Sequence, residues 1–359
     1  MQTTDFGNHE VSILRAEQLF QLIKEIAEAY GVSEPDASIL SDALVQSELM
    51  GLETHGVSRL SIYLKRIELG LINPKADMTF ERKFRAVEVL NAQNGLGQVA
   101  GVKAMTRAVE LANENGIGAV GVRNSQHFGA LSYYCLLAVN SGFIGMAFTN
   151  AEPALPPWGS YEACFGTNPI ALGVPTGSDY PILIDLSTSV VARGKIIAAS
   201  KKGDRLPEGW ALDVEGNPTT DPEKALEGSL LTMAGPKGYA LAMMVDILSG
   251  VITGAGFGKG VHSMYKDMKN EANVGHMMIA VNIEAFMPKA FFYDRIQEMI
   301  KQVKSSKKRP GVSKINVPGE HKLELKRKRD KEGIPISPVT IKDLQSLAKS
   351  KGVPFRREG

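Results

Sequence analysis

The sequence predicts an α/β protein in which helices from both chain ends flank a sheet-containing middle. Three observations carry this reading. Apolar residues recur at helical spacing before residue 50 and again after residue 290, short β-branched or apolar runs bounded by turn residues fill the middle, and helical patterns lie between those runs. With 359 residues the chain is long enough for two lobes. Its 43% hydrophobic and 22% charged residues are close to a globular average, which excludes a disordered chain and argues against a membrane protein.

The elements follow in order. The opening "MQTTDFGNHEV" has no basic region leading into an apolar core, so no secretory signal is expected. Leu19, Phe20, Ile23, Ile26, Ala27 and Tyr30 predict a first amphipathic helix. "SEPDASILSDALVQSEL" predicts a second, with Ser33 as N-cap, Pro35 in the first turn and Asp36 at the capping-box position. Six runs predict strands: "AVEVLN", "GIGAVGV", "FIGMAFTN", "NPIALGVP", "PILIDLS" and "HMMIAVNI". "GYALAMMVDILSGVITGAGF", Gly238 to Phe257, predicts a central buried helix ending near Gly254. Asp246 in its middle and the flanking Lys237 and Lys259 oppose a membrane span. The glycines of "GAGFGKG" follow a helix, whereas a dinucleotide fingerprint needs a strand before and a helix after, so a Rossmann reading is rejected. "FFYDRIQEMIKQVKSS" and "SPVTIKDLQSLAKSKGV" predict the closing helices, the latter with Ser337 as cap and Pro338 at its first position. The expected organisation is a helical segment over residues 1–75 packing with 290–359, and a sheet-containing cofactor and substrate domain over 76–289.

Composition narrows the function classes. Cys135 and Cys164 make neither a disulfide framework nor a metal-ligand spacing, so a reducing cytoplasm is expected. Lys301 to Lys331 is rich in basic residues, but it has no aromatic to stack a base and the net charge is only +2, so nucleic acid is not an expected partner. Nor is a membrane.

Several polar groups sit where chemistry is usually placed. "NSQHFGALSYY" delivers His127 just after an apolar strand; on this stretch alone it could be catalytic or a satisfied core histidine. "GLETHGVSRL" sets His55 and Arg59 four residues apart, on one face if the segment is helical. A guanidinium there suits a carboxylate, although a surface pair of little consequence has the same spacing. "GTNPIALGVP" makes a tight turn into a strand, and "PILIDLSTS" ends a strand on Asp185, Leu186 and Ser187. "AGPKGYAL" places Lys237 before the long apolar helix, and "NVPGEH" is a turn able to present backbone amides to a ligand.

Taken together, "THGVSR", "SQHFGALSYY", "PPWGSYEACFGTNPIA", "ILIDLSTSVVARGK", "PEGWALDVEGNPTTDP" and "GPKGYALAMMVDILSGVITG" resemble the type-2 malate/L-lactate dehydrogenase family from residue 15 to residue 350. The resemblance implies a non-Rossmann α/β fold with a mixed sheet core and a helical lobe built from both chain ends. It also implies NAD(P)-dependent oxidation of a small 2-hydroxy acid or reduction of the oxo acid, NAD being the expected cofactor and NADP the alternative, in a homodimer and with no metal. "AGPKGYALAMMVDILSG", "VHSMYKDM" and "GFIGMAFTNAEPA" look like the ureidoglycolate dehydrogenase branch, with malate, lactate, sulfolactate and diketogulonate as alternative substrates; Thr54 departs from the serine usual in that branch. By the same resemblance His127 would accept the substrate proton, Arg59 would hold the carboxylate, and His55 would bond the reacting oxygen or itself be the acid/base. Ala151, Asp185, Leu186, Ser187, Lys237, Gly319, Glu320 and His321 would bind the cofactor.

Overall fold

The computed structural model describes residues 12–355, so the reading of the opening stretch as free of a signal lies outside the described residues. The chain begins with β1 (Ser12–Leu14), α1 (Ala16–Ala29) and α2 (Glu34–Leu49), then two 3-10 turns, Glu53–His55 and Val57–Arg59, leading into α3 (Leu60–Glu68). Helix α1 buries Leu19, Ile23, Ile26 and Ala27, the face its spacing predicts. Helix α2 starts as expected with Pro35 in its first turn, but the Ser33 side chain makes no capping bond. Its N-terminus is supported by charge instead, with Glu34 and Asp36 in the first turn against the helix dipole.

The middle runs through β2 (Thr79–Phe84), β3 (Val87–Asn91), α4 (Gly97–Asn115), β4 (Ile117–Ser125), α5 (Leu131–Asn140), β5 (Ile144–Thr149), β6 (Ile170–Val174) and β7 (Ile182–Leu186). After α6 (Arg193–Lys202) come three two-residue strands, β8 (Ala211–Leu212), β9 (Pro218–Thr219) and β10 (Ser229–Leu230), with α7 (Pro222–Glu227) between the last two. Then follow α8 (Pro236–Asp246) and β11 (Val274–Val281). The main sheet has seven strands in the order β2-β3-β4-β11-β5-β6-β7. Strands β3 and β4 pair in parallel through α4, and every other pair in the sheet is antiparallel, so the sheet is mixed. All six predicted strands are in it. Strand β2 was missed because its burial barely alternates: "TFERKF" is an exposed, charged edge strand. Gly118 shows why the β4 run is glycine-rich, since a Cβ there would stand 2.2 Å from the Ala108 carbonyl of α4.

The predicted central buried helix is corrected in two ways. Its α-helical part stops at Asp246 and continues as a π-helical turn, Ile247–Val251. It is also not buried all round: Met243, Met244, Ile247, Val251 and Ile252 are exposed, while Ala242, Val245 and Asp246 face inward. Uniform hydropathy hid this one-sidedness. Among the described residues no helix is long and apolar enough to cross a membrane.

The chain closes with α9 (Lys289–Ser305), α10 (Glu320–Glu332), β12 (Ile334–Ile336) and α11 (Pro338–Ser350). Strand β12 pairs antiparallel with β1, tying the two chain ends together. Ser337 caps α11 as predicted, accepting from the Thr340 N–H at 3.2 Å. Leu19, Ile23, Leu40, Leu44 and Leu60 pack with Ile334, Ile341 and Leu344 in one apolar cluster, so the helical lobe is built from both termini. At about 1.5–3 kcal/mol for each fully buried aliphatic side chain, this cluster anchors the turn that follows α2.

Candidate active site

That turn carries His55 and Arg59. The two residues do not share one regular helix; Gly56 separates two 3-10 turns, and the bend is held from α2. Glu48 accepts from the Val57 N–H at 2.9 Å, and a Cβ on Gly56 would lie 2.2 Å from its carboxylate oxygen. Glu48 is almost fully buried, which pushes its carboxyl up to about 8 against the Val57 hydrogen bond; Glu53 adds to the rise and Arg329 opposes it. From α10, Arg329 donates to the Glu48 backbone carbonyl and pairs with Glu53 at 3.0 Å. The turn is thus fixed from two helices that are far apart in sequence.

His127 lies two residues beyond β4, and the fold brings it to this turn. Its ring stacks on His55 with centroids 5.9 Å apart and planes inclined by 22°. Its Nδ1 is 2.6 Å from the Tyr63 hydroxyl, while the Nδ1 of His55 is 3.0 Å from the Thr54 hydroxyl. Burial lowers both pKa values. His55 falls to about 4, with Arg59 and Lys322 adding to the effect and Asp185 opposing it; His127 falls well below its ordinary value, with His55, Arg59 and His276 adding to burial. Both imidazoles are therefore neutral near pH 7, the form able to accept a proton.

Arg59 is the cation beside them. Its Nε donates to the Thr54 carbonyl at 2.5 Å and its guanidinium lies 5.3 Å from the centre of the Tyr265 ring. Among the described residues no carboxylate lies within ion-pair distance, so its charge is left for a ligand, with Tyr265 as its side-chain neighbour. The loop bearing Tyr265 is pinned by Arg66, a buried guanidinium that donates to the carbonyls of Asp267 and Asn270 at 2.7 and 2.8 Å.

The residues expected to hold a cofactor gather along the β7 edge of the sheet. Asp185 accepts from the Ser132 N–H at 3.0 Å, Leu186 is an exposed apolar side chain, and Ser187 bonds Ser189 at 2.9 Å. Leu183 donates its N–H to the Pro318 carbonyl at 3.0 Å, and the left-handed Gly319 fits against Leu183 with no room for a side chain, which sets the start of α10 on this edge. On the other side, backbone bonds between residues 188–190 and 231–233 bring the start of α8, with exposed Lys237, next to Ser187. Ala151 joins through Asn168, which accepts from the Ala151 N–H and donates to the Ala242 carbonyl of α8. Glu320 differs from the other seven in that its carboxylate is already taken by Lys304, Lys314 and the Val317 N–H. Helices α8 and α10 both begin after a glycine with no side-chain cap; Pro236 has no N–H and Glu320 donates its own to the Val317 carbonyl, which leaves the amides that follow, from Lys237 and His321 on, for a ligand. Two such helix ends beside an apolar leucine fit a dinucleotide, with amides for phosphate oxygens and Leu186 for a ring.

The structure adds residues that sequence reasoning missed. Tyr63 stands four residues after Arg59, a spacing that could have flagged it; Tyr265 and Lys322 give no local signal. Lys322, in the first turn of α10, has its charge felt at His55 and has no acidic partner among the described residues.

Comparison with known proteins agrees with this geometry. A family model described as malate/L-lactate dehydrogenase matches residues 14–345. An L-sulfolactate dehydrogenase of Methanocaldococcus jannaschii is 40% identical over 341 residues, 95% of this chain and 98% of its own, and a solved sulfolactate dehydrogenase from that organism superposes with a TM-score of 0.89 at 39% identity, covering 95% of this chain and 98% of its own. A malate dehydrogenase of Pyrococcus horikoshii is 39% identical over 345 residues, 94% of this chain and 95% of its own. A ureidoglycolate dehydrogenase (NAD(+)) of Escherichia coli K12 is 35% identical over 320 residues, 89% and 91% respectively, and another matching relative is named for NADP(+).

Proposed function

The chain belongs to the malate/L-lactate dehydrogenase family and is a nicotinamide-dependent dehydrogenase of 2-hydroxy acids; from that premise we propose that its substrate carries a second acidic group, as malate and sulfolactate do. The observation that carries this is a pair of cations, Arg59 and Lys322, that have no acidic partner among the described residues and whose charges both act on His55. Arg59 takes the carboxylate next to the carbinol carbon through two parallel hydrogen bonds, and Lys322 meets the second anion. His127 takes the hydroxyl proton while His55 bonds the same oxygen. Neutralising Arg59 with the substrate carboxylate removes one of the charges that depress both imidazoles, so binding raises the basicity of His127. The β7 edge and the starts of α8 and α10 would hold the nicotinamide cofactor, which would supply the hydride exchange at the carbinol carbon.

Ureidoglycolate is the second reading, and its support is the "AGPKGYALAMMVDILSG" and "VHSMYKDM" stretches. Its ureido group is neutral, so Lys322 separates the two. Steady-state kinetics on malate, sulfolactate, lactate and ureidoglycolate with NAD and NADP is the test. The dianions should give the highest kcat/KM, and Lys322→Ala should raise KM for malate about tenfold while leaving lactate nearly unchanged, as for loss of one charge-assisted contact. Preference for ureidoglycolate, or an equal loss on lactate, would overturn the two-anion reading.

The same reading includes a homodimer in the cytoplasm. The exposed stripe Met243, Met244, Ile247, Val251 and Ile252 supports the first, since apolar patches of this kind mark contacts between chains. Two free cysteines fit a reducing compartment. Sedimentation of wild type and of Ile247→Glu tests the interface; the variant should shift toward monomer.

A further inference from the structure

The contact that orients His127 is shielded from water. Tyr63 is 1% exposed, and its hydroxyl meets the Nδ1 of His127 at 2.6 Å. Beside that phenol lies Gln98, at the start of α4. Gln98 is fully buried, it lines the same internal space as His55 and Gly129, and neither its Nε2 nor its Oε1 has a hydrogen-bond partner. Leaving buried polar atoms unpaired is costly, so an arrangement that pairs one is favoured.

A phenol has one proton to give and can accept at the same oxygen. If Tyr63 donates to Nδ1, the neutral imidazole carries its hydrogen on Nε2, which then cannot accept a proton from substrate. If Tyr63 instead accepts from Nδ1–H, its own hydrogen is free for the Gln98 Oε1, and the Nε2 lone pair is left open. Gln98 can pair with Tyr63 in either arrangement, through its Nε2–H in the first and its Oε1 in the second, but only the second leaves the His127 Nε2 open as a base.

We propose that Gln98 and Tyr63 are positioning residues that hold His127 in its Nδ1-protonated tautomer, so that Nε2 is the atom that takes the substrate proton. The inference rests on the reading of His127 as the proton acceptor. In the oxidative direction the substrate O–H bond breaks, its proton moves to Nε2, and the imidazolium keeps Nδ1–H donated to Tyr63. The hydrogen on the carbinol carbon leaves as hydride to the nicotinamide of the family reaction, and the proton of Tyr63 stays on Tyr63. The charged and titratable groups facing His127 are His55 and Arg59 from the turn and His276 from β11, all of which oppose a positive imidazole. Those facing Tyr63 are Arg59, Tyr265 and Tyr134. In this set the Tyr63 oxygen is the group that favours the imidazolium.

Steady-state kinetics across pH tests this with Tyr63→Phe, Gln98→Leu and His127→Ala. Tyr63→Phe should lower kcat about 10- to 100-fold with KM within about threefold, since orientation and not binding is lost. Its acid limb in kcat/KM should move to lower pH, because the imidazolium loses its acceptor. Gln98→Leu should show the same pattern at a smaller size, and it carries the test alone if Tyr63→Phe does not fold. The double variant Tyr63→Phe/His127→Ala should be no slower than His127→Ala. An inactive His127→Ala beside an unchanged Tyr63→Phe would overturn the tautomer proposal and leave His127 as the base, as would a double variant slower than His127→Ala. An active His127→Ala would overturn the underlying reading itself.

Discussion

The two halves of the proposed site, one for the proton and carboxylate and one for the cofactor, are built from different materials. The proton and carboxylate half is made of side chains: His55, Arg59, Tyr63 and His127, gathered from the turn after α2, from α3 and from the end of β4, and packed on a lobe in which the chain ends meet. The cofactor half is made largely of backbone, with the β7 edge and two glycine-led helix starts, and its side chains are exposed or already paired. A reaction that moves a proton needs groups whose pKa burial can set, whereas a dinucleotide needs amides and an open edge. Substitutions in the first half should therefore change rate, and those in the second should change nucleotide affinity.

The largest expected effect is on rate alone. His127→Ala should cost about 10²–10⁴ in kcat, as for loss of a general base, with the dissociation constant for NAD or NADP unchanged in a fluorescence titration. A parallel fall in nucleotide affinity would merge the two halves. Next comes stability in the side-chain half. Burial raises the Glu48 carboxyl to about 8, so folding favours its protonated form. The unfolded chain ionises near its ordinary value, and the contribution of Glu48 is full at low pH and is lost as pH rises toward 8. Glu48→Gln cannot ionise, so at pH 8 it should lose less of its low-pH stability than wild type does, by on the order of 1–3 kcal/mol. Parallel curves of Tm against pH would show that Glu48 does not titrate there.

The backbone half predicts smaller changes in binding. Gly319 has φ 89° and its Cβ would stand 2.6 Å from Leu183, so Gly319→Ala shifts the start of α10 off the sheet edge. Nucleotide affinity should fall about tenfold, the equivalent of roughly 1.4 kcal/mol for a left-handed alanine, with kcat at saturation retained. Lys237→Ala should weaken nucleotide binding only several-fold, and more at low ionic strength, because Lys237 is exposed and screened. An unchanged affinity removes Lys237 from the site.

The same contrast explains what the sequence made legible. Strands read well because "GIGAVGV" and "HMMIAVNI" are continuous apolar runs between turns, and the chain-end helices read well from their spacing. Histidines and an arginine announce chemistry wherever they fall, and the family resemblance attached roles to them. The neutrality of His55 and His127 is set by burial and by charges on three separate elements, which no local pattern encodes. Strand β2 was lost because an exposed edge strand has no buried face to alternate, and the long apolar helix was read as buried all round because its hydropathy does not say which side the fold covers. Glu320 was named with its neighbours, yet its carboxylate is held near 2 by Lys314 and Lys304 against the opposing effect of burial. What the loop offers a cofactor is main chain, and that is not written in residue types.

The central claim is that Arg59, with no carboxylate at ion-pair distance among the described residues, holds the substrate carboxylate beside neutral imidazoles. The direct test is kcat/KM for a hydroxy acid and for the amide of its carbinol-side carboxylate, each with wild type and Arg59→Lys. Lysine keeps the charge and loses the fork, so the acid should lose roughly 2–4 kcal/mol in kcat/KM while the amide, already poor with wild type, loses little more. Equal losses on acid and amide would contradict the account and make Arg59 a structural residue.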